Sequence, residues 1–456
     1  MSEPLSPLRQ LFRAAAAMGV LQIGSMALTF LVGVLLARML GAEGYGAYAL
    51  AMAVIAIAGM LTEFGLPILL MREVSVARER KLWGELRGAL RWTDRVVLGS
   101  SAAMILLWFA VSALFDLHQS SGFTATMTVG IFLIPVVAIA KLRAATLLAL
   151  GHTGSSQFSV LIVRPGLFAL LLALLGWLAR DQMGPALAMA CQLAAAATAM
   201  AIAMLLWWRW KPVEIIGAPP VTRARDWAAA AFPMAMTEGM RAVQGQLAII
   251  VLGILATSSA VGIFRVADAT LAICMLPVSL FNVIVGPLIA RLKAADDKAE
   301  LQKVVAGTAF ATTLGYALIS LPFVVKGEWA LSFAFGPDFA ASQGPLMILI
   351  ASNLLFTMMG PVIVYANMTG REALVSRWCV VSVLVALVSG VLLIPLYGAY
   401  GAAMANVLGF AAWQFPISWR IWREDGIHLS VLGIRGNMVT QAGSEIMALV
   451  RRGRAI

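Results

Sequence analysis

Apolar runs of 18 to 30 residues dominate the chain, and only short polar stretches separate them. Neither the strict alternation of half-buried strands nor the broad polar face of soluble helices interrupts these runs. A helix needs about 20 mostly apolar residues to cross the hydrocarbon core of a bilayer. The pattern therefore predicts twelve membrane-spanning helices, over residues 15–37, 45–71, 96–115, 124–150, 157–179, 185–208, 228–255, 261–290, 304–325, 345–367, 374–396 and 402–419. The apolar run behind the N-terminal stretch MSEPLSPLRQLFR continues to Leu40 without a small-residue cleavage site, which reads as a first span and not a removable signal.

Lys and Arg fix the orientation of such a bundle, because short cytoplasmic loops retain them. With the N-terminus in the cytoplasm, that side carries 24 basic residues: Arg9 and Arg13, the loops 72–95, 209–227 and 291–303, Arg371, and the stretch after 419. The opposite side receives three, Arg38, Arg180 and Lys326. A span missed or added in mid-chain would invert every later loop and destroy this asymmetry. The expectation is a multi-pass protein of a bacterial inner membrane with both termini cytoplasmic.

Composition agrees: 61% of residues are hydrophobic and 12% charged, with a mean hydropathy of +0.91. No large soluble domain fits between the spans. The net charge of +11 sits mostly in the cytoplasmic loops, so it is no footprint of nucleic acid. The basic tail 420–456 reads either as a segment on the anionic inner leaflet or as a solvated one. Cys191, Cys274 and Cys379 fall far apart within predicted spans, which suggests packing and not a disulfide or thiolate site. No GxxxxGK[ST], HExxH, CxxC or GxSxG motif occurs. His118, His152 and His428 lie in separate loops, and the longest external loop, 326–344, holds Glu328 and Asp338 ten residues apart. The sequence thus calls for no cofactor, no metal and no enzymatic centre.

An internal repeat appears at an offset of about 217 residues. EGYGAYALA (43–51) answers AVGIFRVADA (260–269), pairing Gly46 with Gly262 and Tyr48 with Phe264. ALGHTG (149–154) answers NMTGRE (367–372), and MGPALAMA (183–190) answers GAAMANV (401–407). Six spans per half is an even number, so both halves enter from the cytoplasm and form a parallel repeat. The expected organisation is an N-terminal six-helix lobe (1–208), a cytoplasmic linker (209–227) with three prolines, a C-terminal six-helix lobe (228–419) and the tail (420–456). Bundles of this kind enclose a central cavity and work by rocking one lobe against the other.

Candidate chemistry lies in what lipid should exclude. Lys141, Arg143, Arg164, Arg241, Arg265 and Arg377 fall inside predicted spans, as do Glu63, Glu238 and Asp268. Each costs about 2.5–3.5 kcal/mol at mid-membrane, so they must line water or pair. Arg377, near a span end, can snorkel. Glu238 with Arg241, and Arg265 with Asp268, stand three residues apart and can pair along one helix. Lys141, Arg143 and Arg164 have no acid in their own helices. Lys141 and Arg143 point to different sides, so one can face packing and the other a cavity. Arg164 precedes Pro165-Gly166, where the helix should loosen. Gln22, Ser25 and Thr29 form a polar stripe on the first span; Thr237, Arg241 and Gln244 form another on the seventh. Helix–helix hydrogen bonding explains either stripe, yet two stripes at matching starts of the halves also read as walls of one cavity. The surplus of positive charge suits an anion. Glu63 stands before an FGLP break; ordinary kinked packing, with Glu63 paired to Arg72 or another cation, is the alternative to a coupling role.

The segment LLARMLGAEGYGAYALAMAVIAIAGMLTEFGLPILLMREVS (35–75) resembles the N-terminal signature of the polysaccharide-biosynthesis, or oligosaccharide flippase, family. This is the Wzx-type branch of the superfamily (MOP) that also holds multidrug MATE exporters and lipid II flippases. SAVGIFRVADATLAICMLPVSLFNVIVGPLIARL (259–292), NMTGREAL and LLIPLYGAYGAAMANVLG (392–409) are similar to its later blocks. The resemblance implies an all-α, MATE-like fold of two six-helix lobes. It also implies a lipid-linked oligosaccharide as cargo, carried on an isoprenoid diphosphate across the lipid bilayer by alternating access. The diphosphate would account for the cations Arg164, Arg241, Lys141, Arg143 and Arg265. Glu63, Glu238 and Asp268 would then serve ion coupling or pairing, with H+ or Na+ as the coupling ion, and other polysaccharide assembly proteins would be partners. Relatives often carry an acid late in the seventh span, where this chain has Gln244 and Gln246. Two other readings stand beside this one: a MATE-like antiporter, which calls for an acidic and aromatic cavity, and a membrane-embedded polymerase or ligase, which calls for a larger external loop.

Overall fold

Apolar sequence of this density folds as helix because only a helix satisfies its own backbone in lipid. The computed structural model describes residues 7–114, 121–178 and 183–433, apart from the side chains of 7–18, Ser121, Thr153, Pro233, Thr237, Glu238, Arg241, Val283 and Leu432. Residues 434–456, most of the basic tail, and His118 and Arg180 fall outside the described residues. Every regular element among those described is helical.

Among the described residues nine helical stretches are long and apolar enough to cross a bilayer. One, Gly19–Glu79, has 61 residues, about 90 Å at 1.5 Å per residue. It is broken twice. Gly41, with φ 64 and ψ −177, interrupts α1 (Pro7–Glu63), and Phe64 and Gly65, both with positive φ, separate α1 from α2 (Leu66–Glu79). There follow α3 (Trp83–Leu114), α4 (Ser121–Gly130), α5 (Leu133–Ala149), α6 (Thr153–Phe158), α7 (Arg164–Leu178), α8 (Pro185–Trp210), α9 (Glu214–Gly217) and α10 (Ala224–Leu255). The second half of the chain holds α11 (Ser258–Cys274), α12 (Leu276–Ala294), α13 (Lys298–Phe335), α14 (Gln343–Met358), α15 (Val362–Met368), α16 (Glu372–Tyr397) and α17 (Ala399–Asp425).

Differences from the sequence expectation have local causes. The predicted span 261–290 is two helices, α11 and α12, because Pro277 near the start of α12 cannot continue a hydrogen-bonded helix from α11. The predicted external loop 326–344 is largely helical: α13 runs on to Phe335 through a kink at Lys326 (φ −134, ψ 41), and a 3-10 turn covers Pro337–Ser342. The predicted span 228–255 falls within one continuous helix, α10, whose part Ala242–Leu255 is apolar.

The chain divides into two compact units. One comprises Met1–Val266 with Ala334–Asp338, the other Ala267–Phe333 with Phe339–Ile456. The linker 209–227 packs into the first unit. Arg87 donates to the carbonyls of Ile216 and Ala218 at 2.8 Å, and Val221 donates its N–H to the Gly84 carbonyl at 3.0 Å. Gly88 permits this strapping, since a Cβ there would stand 1.9 Å from the Val221 oxygen. Trp227 then stacks near Trp92 at 5.6 Å within a core built on Leu66, Leu70, Leu86 and Leu142.

Also inside the first unit, the repeat-related glycines touch. A Cβ on Gly46 would lie 1.7 Å from the Ser258 carbonyl oxygen, and one on Gly262 would lie 2.2 Å from that of Ala42. Ala42 and Ser258 stand at the same offset as Gly46 and Gly262, so the contact is reciprocal. Only glycine lets two helix backbones come this close.

The second unit closes around Asp425. Its carboxylate accepts from Arg371 at 2.6 and 2.9 Å, from Tyr365 at 2.7 Å and from Lys293 at 3.4 Å. Past Gly426 the chain does not leave at once: Ile427 and Leu429 are buried, and Gln302 bridges the backbone N–H and C=O of His428 at 2.8 and 2.7 Å. The start of the predicted tail is therefore docked. His152 likewise stacks on Trp210 at 4.5 Å, so these two histidines are held by their neighbours.

Two outcomes follow. Gly46→Ala should lower the thermal midpoint of the purified protein, at a cost of about 1–3 kcal/mol from overpacking, with Gly262→Ala doing the same; unchanged melting would contradict the backbone contact. Burial alone would raise the Asp425 carboxyl, but the hydrogen bonds from Arg371 and Tyr365 and the charges of Arg371 and Lys293 hold it down at about 2, below the ordinary carboxylate value of 3.8. A depressed folded-state pKa gives stability that is present above the unfolded value and lost as pH falls from about 3.8 towards about 2. Asp425→Asn should therefore cost about 2 kcal/mol at pH 7 and remove that acid-side loss, as read from melting curves across pH.

Candidate functional site

Lone prolines and amides inside apolar helices mark where the first unit departs from simple packing. Between α6 and α7 the chain forms a π turn over Ser159–Val163, and the Arg164 N–H bonds the Ser159 carbonyl, five residues back. Pro165 explains the widening: it has no N–H for the carbonyl four residues earlier, so a regular α turn would leave that group unmade. The helix loosens at Arg164, as its sequence predicts.

Two pockets meet at this residue. The first, of about 330 Å³, is lined by Ser25, Thr29, Tyr45 and Tyr48 from α1, Arg164 and Phe168 from α7, Gln192 from α8, Gln246 from α10 and Arg265 from α11. The second, of about 450 Å³, is lined by Glu63, Gly65, Pro67, Leu133, Lys141 and Ala235, again with Arg164. Met52, Ala56 and Arg164 are common to both. The Arg164 side chain makes no hydrogen bond or ion pair with the described residues. Gln192 is 8% exposed, and its Oε1 has no partner. The first pocket is thus lined by cations, phenol and alcohol hydroxyls and amides, with no acid among its described lining residues.

The other intramembrane charges are sorted by pairing. Lys141 reaches Glu63 across 78 residues of sequence at 2.8 Å and stays half-exposed in the second pocket. Glu63 is thereby paired with a cation other than Arg72, whose own partner is Glu73 at 2.8 Å. Arg143 faces packing: its guanidinium binds Asp94, lies 5.9 Å from the Trp207 ring, and lines neither pocket. Arg265 lines the first pocket, while Asp268 belongs to the second unit. Thr237, Glu238 and Arg241 lie outside the described side chains.

Of the first-span stripe, Ser25 and Thr29 line the pocket and Gln22 is exposed outside it. Gln246, not Gln244, lines the pocket from α10. Tyr45, Tyr48 and Gln192 were missed by a search for ionisable residues and stripes. A single amide such as Gln192, set in an alanine-rich run, was the available signal, because an unpaired amide in hydrocarbon is costly.

The break that follows Glu63 also has a structural cause. Gly65 (φ 70) meets α10 so closely that a Cβ would stand 2.7 Å from the Ala235 nitrogen, and Pro67 starts α2 where its missing N–H costs nothing. The Glu63–Lys141 pair therefore sits at a fixed corner of the second pocket.

Comparison with known proteins matches residues 11–293 to the family described as polysaccharide biosynthesis protein. The probable low-salt glycan biosynthesis flippase Agl15 of Haloferax volcanii is 24% identical over 161 residues, 35% of this chain and 34% of that protein. The match spans about a third of that relative's length. Among solved structures, an inward-facing multidrug resistance MATE family transporter of the MOP superfamily gives a TM-score of 0.72 at 10% identity, covering 90% of this chain and 98% of that one. The lipid II flippase MurJ in an inward closed conformation gives 0.67 at 12% identity, covering 88% and 86%. At such identities the likeness is one of fold, an all-α bundle of membrane-spanning helices.

Proposed function

The chain belongs to the polysaccharide biosynthesis protein family, and from that membership we propose that it is a flippase for an isoprenoid-diphosphate-linked oligosaccharide. It moves this cargo from the cytoplasmic to the outer leaflet of a bacterial inner membrane by alternating access between two six-helix lobes, 1–208 and 228–419. It is a transporter and not an enzyme.

The observation that carries this reading is Arg164. It is shared by both pockets of the first unit and has no ion-pair partner among the described residues, so its charge is available to a ligand. A guanidinium in a low-dielectric pocket binds phosphate oxygens through charge-assisted hydrogen bonds. Arg265, Tyr45 and Tyr48 line the same space. Lys141 stands in the adjoining pocket but is balanced by Glu63, so an arriving diphosphate would compete for it. That exchange leaves Glu63 as the acid beside the cargo path that a coupling H+ or Na+ would reach. Arg143, already held by Asp94, has a packing role in this scheme.

Arg164→Ala should lower surface glycan at least tenfold with the protein at its normal level in the membrane, and Arg164→Lys should restore part of it. The measurement is surface polysaccharide by gel or lectin staining, beside an immunoblot of the membrane fraction. Wild-type surface glycan in Arg164→Ala would remove the case for cationic cargo handling.

A further inference from the structure

A second kind of pocket lies wholly within the second unit. It has a volume of about 200 Å³ and is lined by uncharged residues, among them Asn282, Thr312, Asn353, Gln414, Phe410 and Trp413. We infer that it is a binding subsite for one neutral sugar ring of the glycan cargo, an inference that rests on the proposed function for the source of the sugar.

Local structure shows why these groups are available. Gly360 (φ 79) and Pro361 break the chain between α14 and α15, which opens a gap that regular helix would fill. Asn353 spends its amide N–H on the Leu349 carbonyl at 2.9 Å, and Gln414 spends its own on the Phe356 carbonyl at 3.3 Å. Their carbonyl oxygens take no donor from the described residues. Both side chains belong to residues that are more than nine-tenths buried, at 8% and 5% exposure. Trp413, 6% exposed, has an indole N–H without a partner. The ring itself is anchored in a core with Tyr365, Ile417 and Ile421, and Phe410 lies 5.8 Å away. The pocket therefore presents fixed amide acceptors beside threonine and aromatic side chains, all neutral.

That set selects a ligand class. No charged group lines the pocket, so it has no means of holding a phosphate. An acyl chain would leave the amide oxygens dry, which is costly. A pyranose ring offers hydroxyls that donate to those oxygens and C–H groups that pack against the aromatic side chains of the lining. The volume is below the ~300 Å³ at which drug-sized sites begin, which limits the pocket to one ring.

Saturation-transfer NMR on the full chain in detergent, with glucose, galactose, N-acetylglucosamine and inorganic phosphate as probes, tests this. At least one neutral sugar should give a saturable signal. Gln414→Ala and Asn353→Ala should each weaken that affinity about fivefold, the loss of about 1 kcal/mol, with melting curves confirming that each variant is folded. The subsite is overturned if none of the sugars gives a saturable signal, or if the signal is unchanged in both Gln414→Ala and Asn353→Ala. Absent sugar binding alongside abolished surface glycan in Arg164→Ala would overturn the subsite and leave the flippase reading standing. Pocket-dependent sugar binding alongside normal surface glycan in Arg164→Ala would do the reverse.

Discussion

A charge inside a bilayer must be neutralised, wetted or lifted to the surface, and this single constraint sorts the ionisable residues of the protein. Arg143 is neutralised by Asp94 in close packing. Lys141 is neutralised by Glu63 at the rim of a pocket, where the pair remains partly exposed. Arg164 is left to the pockets themselves. The same constraint acts on the backbone: the π turn before Arg164 and the break at Gly360-Pro361 are tolerated because each adjoins a cavity in place of lipid. Helix defects and pockets thus coincide in both units.

The fold was legible because the bilayer imposes its period on the sequence. Apolar run length and the asymmetry of Lys and Arg report the membrane directly, and the MATE-like architecture agrees with that reading. Helix breaks were less legible. The glycines and prolines at 41, 65, 165, 277 and 360–361 are visible in the sequence, but whether each makes a turn, a kink or a π turn depends on what packs beside it. Gly65 breaks the helix where α10 approaches, and in α13 the non-helical residue is Lys326 and not its neighbour Gly327.

The site was legible by charge and illegible by pairing. Spacing along one helix could suggest that Lys141 and Arg143 diverge, and they do. It could not reveal that their partners, Glu63 and Asp94, come from 78 and 49 residues away. Neutral chemistry left the weakest trace. Gln192, Asn353 and Gln414 are single amides in long apolar runs, and their free oxygens become apparent only when their amide partners, or lack of them, are known.

The reciprocal meeting of Gly46 with Ser258 and of Gly262 with Ala42 has a mechanical consequence. At both glycines backbone rests on backbone with no side chain between, so no change of rotamer can absorb a displacement there, and the two segments must move as one.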